Sequence, residues 1–433
     1  MLNNNVKNTI KEIEEEPSPP GVDVNAVTQT PLGINDVLEA VKHLGENKDY
    51  VIKSILAVYI STFLERKDPL WLMVVGNPSS NKTTLVDLLG SLDEVYKLDT
   101  MTANPFSSGQ REKEKPQDLL PLLDNKCFIV KEYGTIFGRG DEMVKQLISD
   151  LVAIYDGEYA KHSPLRGTVC YKSYFSHIGC VTPMSLSSRQ KYMSMVGARF
   201  LFLRIEPLDE DEKNSSLKEI WNEDAKMNKQ EVAEIICSYC LQLKEKVIGG
   251  IEVIFSEESK QKLNSLASLM ARARGIVISE RISFKTDEGK TKHHYEVTDI
   301  QIEEPFRALK QLRKLAKCLA IVNGSKDVGD EELKIVRKVV LSSMPVRRAD
   351  VLKVFEQGQV FTAKQAAEKL DRSYRTTKRI FDELVSLGVL DSQKGMNDLA
   401  RIYTLKNAFS GIFPAPKLSV EETATLFGGE IVD

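Results

Sequence analysis

Eight consecutive residues, Gly76-Asn-Pro-Ser-Ser-Asn-Lys82-Thr83, carry the densest chemistry in the chain. They follow the spacing G-x-x-x-x-G-K-[ST] at every fixed position but one, where Asn81 replaces the second glycine. That spacing suits phosphate. A tight loop made by Gly76, Asn77, Pro78, Ser79, Ser80 and Asn81 wraps phosphate oxygens, chiefly with backbone N–H groups. Lys82 then reaches the β- and γ-phosphates, and the Thr83 hydroxyl holds Mg2+ where Thr84 leads into a helix. The missing glycine ordinarily permits a positive φ. Asparagine is among the side chains that best tolerate it, so the loop is expected to form. The implied ligands are ATP and Mg2+; the alternative is an ordinary polar turn between a strand and a helix.

Hydrolysis needs a carboxylate at the end of a neighbouring strand, to hold the metal and orient water. The apolar run Cys127–Val130 ends in Lys131-Glu132-Tyr133, which makes Glu132 the candidate metal ligand and base. An Asp-Glu pair would divide those roles, but Lys131 stands in the first position, and Asp141 and Glu142 are acids close by in sequence. The competing reading is a surface carboxylate at a strand end.

These residues need a scaffold that brings strand ends together. Residues 70–75 form a continuous apolar run of strand length before the glycine, as expected of a strand buried on both faces of a parallel sheet. Similar runs occur at 127–130, 176–181 and 199–205, with helical periodicity between them, for example at 143–155. Two helices are expected over 33–66. The pattern predicts an α/β three-layer domain over 31–208, then a helical region over 209–330 interrupted by a β-hairpin at 275–297. Residues 1–30, acidic and proline-rich, read as a disordered leader, and 411–433 as a flexible tail.

The 433 residues carry 59 Lys and Arg against 62 Asp and Glu, a net charge of −3. Apolar residues at 42% and charged residues at 28% exclude a wholly disordered chain, a collagen-like fibre and a small disulfide scaffold. Near-neutrality means that any attraction to nucleic acid must come from local patches. The longest apolar stretch, 51–64, contains Lys53 and is too short to span a bilayer. No secretory core opens the chain, and six irregularly spaced cysteines suggest a reducing compartment, so a cytoplasmic location without a membrane partner is expected. Cys237 and Cys240 form a lone CxxC in a helical run, read as a buried helix face in preference to a zinc site.

One local patch stands out. Between 345 and 407 there are 12 Lys and Arg against 8 Asp and Glu. Residues 361–371 read as a capped helix, with Thr362 as N-cap and Gln365 three residues on. A second helix follows at 374–387, and two strands flank a polar tip at 388–405. Helix, turn, basic helix and wing predict a winged helix-turn-helix over 331–410. Arg372, Arg375, Lys378 and Arg379 would contact DNA; a protein-binding role is the alternative. The tail residues Thr423–Phe427 faintly resemble a sliding-clamp-binding peptide, with a plain disordered end as the alternative.

The order of motifs resembles that of AAA+ ATPases of the MCM helicase group, and more closely the ATPases of phages and integrated elements with a GxPSSGKT loop. The resemblance runs through Gly76–Thr83, Phe128–Tyr133, Ile154–Lys161, Cys180–Pro183, Gly197–Phe200 and Glu304–Arg307, covering about residues 70–325. It implies a P-loop AAA+ core over 31–208 and a helical lid over 209–330. It places Thr182 at sensor 1, where that group has asparagine. It makes Arg199 an arginine finger reaching a neighbouring subunit and Arg307 the sensor-2 arginine of the lid. A homo-oligomeric ring, in particular a hexamer, follows from such a finger. Pore hairpins lie between the carboxylate and sensor strands in that group, so Lys161, Arg166 and Lys172 would touch DNA. The function implied is an ATP-dependent, DNA-associated motor such as a replicative helicase, working with other replication proteins. A nucleotide-switched scaffold or helicase loader with little hydrolysis, and a winged-helix transcription regulator, are the alternatives.

Overall fold

The computed structural model describes residues 31–44, 48–102, 104–108, 117–188, 199–221, 227–285, 291–356, 360–394 and 401–413. The expected leader and the clamp-like peptide at 423–427 lie outside the described residues.

Helices α1 (Ile34–Lys42) and α2 (Asp49–Ser61) precede strand β1 (Trp71–Val75). Then come α3 (Lys82–Asp87), β2 (Val95–Leu98), β3 (Cys127–Val130), α4 (Tyr133–Phe137) and α5 (Asp141–Ile154). A hairpin, β4 (Glu158–Ser163) and β5 (Gly167–Lys172), leads into β6 (Ser176–Val181), α6 (Pro183–Ser188) and β7 (Phe200–Arg204). The central sheet runs β2-β3-β6-β1-β7 with every pairing parallel. The fold is therefore mixed α/β around a parallel sheet.

The apolar runs follow from burial on both faces. Leu72, Val74, Ile129, Cys180, Leu201 and Leu203 point into one core, while Trp71, Met73, Val75, Phe128, Val130, Phe200 and Phe202 point into the other. Each such side chain contributes about 1.5–3 kcal/mol. Strand β2 has no such run; Val-Tyr-Lys-Leu sits at the sheet edge, half-buried, with Lys97 outward. At the other edge, the N–H groups of Phe202 and Arg204 donate to the hydroxyls of Ser343 and Ser342 at 2.9 and 3.0 Å, which closes β7 to further pairing.

One buried group has consequences for stability. His177 is fully enclosed among Trp71, Phe128, Tyr133, Phe175 and Phe200. Its Nδ1 donates to the Phe128 carbonyl at 2.8 Å, leaving Nε2 to accept from the Tyr133 hydroxyl at 2.7 Å. Burial holds its pKa down to about 4, against an ordinary value near 6.5. Between those values the unfolded chain binds a proton that the folded chain refuses, so stability falls as pH falls from 6.5 toward 4. Comparing urea unfolding at pH 7 and pH 5, the wild type should lose about 2 kcal/mol more than a His177→Phe/Tyr133→Phe variant. Equal losses would remove the buried neutral imidazole from the account.

Beyond β7 lie α7 (Glu210–Ile220), α8 (Lys229–Ile248) and α9 (Glu257–Arg274), then the ribbon β8 (Ile276–Lys285) and β9 (Thr291–Gln301). Helices α10 (Phe306–Asn323) and α11 (Asp330–Ser342) follow. α10 packs along α2 and α9, and α11 lies against β7, so these helices share one apolar core with the sheet. Cys237 and Cys240 are buried in α8, and neither forms a disulfide. Among the described residues no helix is long and apolar enough to cross a membrane.

The C-terminal region contains α12 (Val346–Lys353), β10 (Val360–Thr362), α13 (Ala363–Lys369), α14 (Tyr374–Ser386), β11 (Leu390–Lys394) and β12 (Arg401–Leu405). Its antiparallel sheet has the order β10-β12-β11. The expected capping box is present: the Thr362 N–H donates to Gln365 Oε1 at 2.8 Å and the Gln365 N–H to Thr362 Oγ1 at 3.2 Å. Arg348 ties the module to the core, donating to the carbonyls of Ala273 and Gly275 while pairing with Glu383 at 3.1 Å.

Candidate functional site

The strand register brings the loop, the carboxylate and Thr182 to one end of the sheet. Val75 lies opposite Val181, and the Gly76 N–H donates to the Val181 carbonyl at 3.1 Å, so the loop starts beside Thr182. Val130 lies opposite Gly179, which sets Glu132 in the same row. Burial pushes the Cys180 thiol, in this row, up to about 12, and that thiol also feels the charges of Lys82, Glu132 and Asp87.

The loop has the form a phosphate cradle needs. A Cβ on Gly76 would press on Ser80 Oγ and Ile205 Cδ1, so any larger residue there would have to displace both side chains. Ser80 Oγ is itself buried with no hydrogen-bond partner, and an anionic oxygen would satisfy it. Ser79 and Asn81 both have positive φ, 62° and 56°. Asn81 thus takes the conformation that the usual glycine supplies, and its Nδ2 donates to the Leu44 carbonyl at 3.2 Å. The substitution therefore adds a strut between the loop and the residues after α1.

Lys82 opens α3, is almost wholly buried, and turns its ammonium back to the Asn77 carbonyl at 3.2 Å. Thr83 and Thr84 follow in the first turn, where backbone N–H groups lack intrahelical acceptors. Among the described residues no group of three His, Cys, Asp or Glu side chains could hold a metal ion alone. Thr83 and Glu132 would hold Mg2+ only together with phosphate oxygens, which matches how Mg2+ binds at such sites.

Glu132 caps α4, its Oε1 accepting from the Gly134 N–H at 3.1 Å. A Cβ on Gly134 would meet both Glu132 Oε1 and Ser185 Oγ, and Thr182 Oγ1 bonds Ser185 Oγ at 2.9 Å, so Glu132 and Thr182 share one small polar neighbourhood. Ser185 had no signal in the sequence; only the turn of α6 reveals it. Lys131 is drawn off by carboxylates, 2.5 Å from Asp99 and 3.7 Å from Asp87, and the Asp99 hydrogen bond raises its pKa. Asp141 and Glu142 sit in the first turn of α5, where acids favour the helix dipole.

Neither protein-family models nor curated proteins match the chain. Among solved structures, a protein from Cytophaga hutchinsonii described as a candidate ATPase is similar at 14% identity. The match covers 72% of this chain and 86% of that one, with a TM-score of 0.42. So distant a likeness adds nothing to the chemistry, which rests on the loop.

Arg199 and Arg307 fall elsewhere. Arg199 precedes Phe200, which pairs with Trp71, so it lies at the opposite end of the sheet from Gly76, about 20 Å away along six residue steps. Its Nε donates to the Val152 carbonyl at 3.1 Å. Arg307 stacks over Tyr155, 5.8 Å from the ring centre, and its charge adds to burial in lowering the Arg199 pKa. The two arginines thus form a pair beyond reach of their own loop.

The expected DNA-contacting residues divide. Arg166 is not free for phosphate: its side chain is 8% exposed, paired with Asp118, and it donates to Tyr171 Oη at 3.2 Å. Lys161 is also committed, to Asp150 at 3.3 Å and Asn104 at 3.4 Å. Both corrections have one cause, since this hairpin packs on α5 and on the segment around Asp118 instead of standing in solvent. Lys172 is exposed and pairs with the exposed Glu158 at 2.9 Å. In the C-terminal module Arg372 is held by Asp350 at 2.5 Å and Arg379 lies 3.7 Å from Glu383, while Arg375 and Lys378 are exposed on α14.

Proposed function

We propose that this protein is an ATP-hydrolysing, DNA-associated motor of the AAA+ type, working as a ring in which each nucleotide lies between two subunits. What carries the reading is the loop with its empty Gly76 position and orphaned Ser80 hydroxyl, set beside Glu132 and Thr182 at one end of a sheet ordered β2-β3-β6-β1-β7. Lys82 and the loop N–H groups bind the triphosphate. Glu132 positions the attacking water, with Thr182 beside it. Bound Mg2+ would neutralise phosphate charge and polarise the phosphoryl group.

Two observations support action across a subunit boundary. Arg199 and Arg307 repel each other in a half-buried setting where Asp156 supplies an opposing charge, and an anion brought from outside would offset more of that cost. They also lie at the wrong end of the sheet to serve their own loop. A neighbour's γ-phosphate meets both requirements, and a guanidinium pair suits its charge. The C-terminal module is read as a winged helix, with Arg375, Lys378 and Arg379 facing phosphates. A replicative helicase or helicase-like factor of a phage or mobile element, with cytoplasmic location, fits this combination.

A second reading is a nucleotide-switched scaffold with little hydrolysis. It is favoured by Lys131 in place of an acid and by Glu132 being engaged at the α4 cap. Steady-state ATP hydrolysis with and without single- and double-stranded DNA separates the two. The motor requires turnover that DNA stimulates and Lys82→Ala abolishes; tight ATP binding with no turnover under any condition leaves the switch.

A further inference from the structure

A cavity of about 160 Å3 lies where the end of β7 meets α11 and α12, at the seam between the sheet and the C-terminal module. None of the residues from Gly76 to Thr84 lines it, so it is separate from the phosphate loop. At about 30 Å3 of liquid volume per water, it has room for one tetrahedral oxyanion with a water or two. Its walls are mostly charged. Arg204 ends β7, Arg337 and Lys338 come from α11, and Lys353 closes α12; the carboxylates of Glu206, Asp350 and Glu356 stand among them.

These charges do not balance. Lys338 and Lys353 both bind Glu206, at 2.9 and 3.3 Å, so one carboxylate serves two ammonium groups. Asp350 is taken by Arg372 at 2.5 Å, and Glu356 lies 3.8 Å from Arg337. Arg204 is left over. Its Nη1 and Nη2 both bond the Met344 carbonyl at 3.4 Å, long for a charged donor, and among the described residues no carboxylate lies within ion-pair distance of it. Burial pushes its pKa down, and Asp350 counters this only from a distance. Five cationic groups against three carboxylates leave two positive charges uncompensated, in a place partly shut off from water.

We propose that this cavity binds a phosphate dianion, free or as the head of a small phosphomonoester, with Arg204 as its main contact and Lys338 and Lys353 as supporting charge. A phosphate carries about −1.5 to −2 at neutral pH, which matches the surplus; a carboxylate would meet half of it, and a metal cation would be repelled. The planar guanidinium fork of Arg204 suits two phosphate oxygens at once. Because the walls come from β7, α11 and α12, an occupant fastens the C-terminal module to the sheet. It does so beside the loop strand, since Ile205, the residue after Arg204, donates its N–H to the Val75 carbonyl at 2.8 Å. The inference stands whether or not the phosphate loop takes nucleotide.

Calorimetric titration with inorganic phosphate, at an ionic strength held constant with chloride, tests it. The titration is run on Lys82→Ala protein, so that the ammonium of the phosphate loop plays no part. One phosphate should bind per chain, and phosphate should raise the melting temperature where chloride does not. Adding Arg204→Gln should weaken binding about tenfold or more. Arg204 is partly buried, so Lys353→Gln, at an exposed side chain, serves as the second variant: it should weaken binding about threefold while melting in chloride stays unchanged. Glycerol phosphate, titrated in the same way, separates the two sources. Tighter binding than inorganic phosphate assigns the site to a monoester, and weaker binding assigns it to the free ion. Absence of saturable binding by either probe overturns the proposal, as does binding that both variants leave unchanged. Duplex DNA that binds through Arg204 while neither small phosphate does would also overturn it, and would give the cavity to a nucleic-acid backbone.

Discussion

Lys82→Ala should lower ATP turnover on the order of 100- to 1000-fold and weaken ATP binding with it. Lys82 is the one ammonium in the loop. It is buried against a low-dielectric core, and among the described residues its ammonium bonds the neutral Asn77 carbonyl alone. Exchanging that carbonyl for phosphate oxygens makes a charge-assisted contact, about 3 kcal/mol where water is excluded. Each 1.36 kcal/mol is a factor of about ten in rate. Alanine also removes a buried aliphatic stem, so a loss of packing has to be separated from a loss of charge. Lys82→Met keeps the stem and removes only the charge, and it should fall as far as alanine does. Binding of a fluorescent ATP analogue, read beside thermal melting, makes the distinction. A methionine variant that binds and turns over normally would show that the loop does not hold phosphate.

Much of this site was legible before any coordinates, for a physical reason. The loop is local: eight residues in sequence make one turn in space, and its demands on residue type are written in order from Gly76 to Thr83. Strands β1, β3, β6 and β7 were equally plain, because burial on both faces removes polar residues from the run. β2 escaped because an edge strand with Lys97 facing water leaves no such run. The Arg166 assignment failed for the complementary reason. A basic residue in a loop between strands looks solvated, and nothing near it in sequence announces Asp118, 48 residues earlier, or the Tyr171 hydroxyl that closes the cluster. Asn81 shows both limits together. Its tolerance of positive φ could be argued from residue type, whereas its bond to Leu44, 37 residues away, is visible only in the fold.

The second large effect is expected at Glu132, where Glu132→Gln should cut hydrolysis by about 100- to 10,000-fold while ATP binding stays within a few-fold of wild type. Glutamine is the informative replacement because of what the carboxylate does in the fold. Oε1 accepts from the Gly134 N–H and caps α4, and a side-chain amide oxygen at the same place accepts the same bond. Local structure is preserved and the negative charge alone is lost. A carboxylate that orients water or holds Mg2+ cannot be replaced by a neutral amide, whereas a carboxylate that serves only as a helix cap can. Lys131 makes the outcome decisive, since its ammonium is already bound to Asp99 and Asp87 and supplies no second acid to share the work. Turnover of Glu132→Gln equal to wild type would place the base elsewhere. Collapse of turnover with ATP still bound would identify Glu132 as the group that separates a hydrolysing motor from a nucleotide switch.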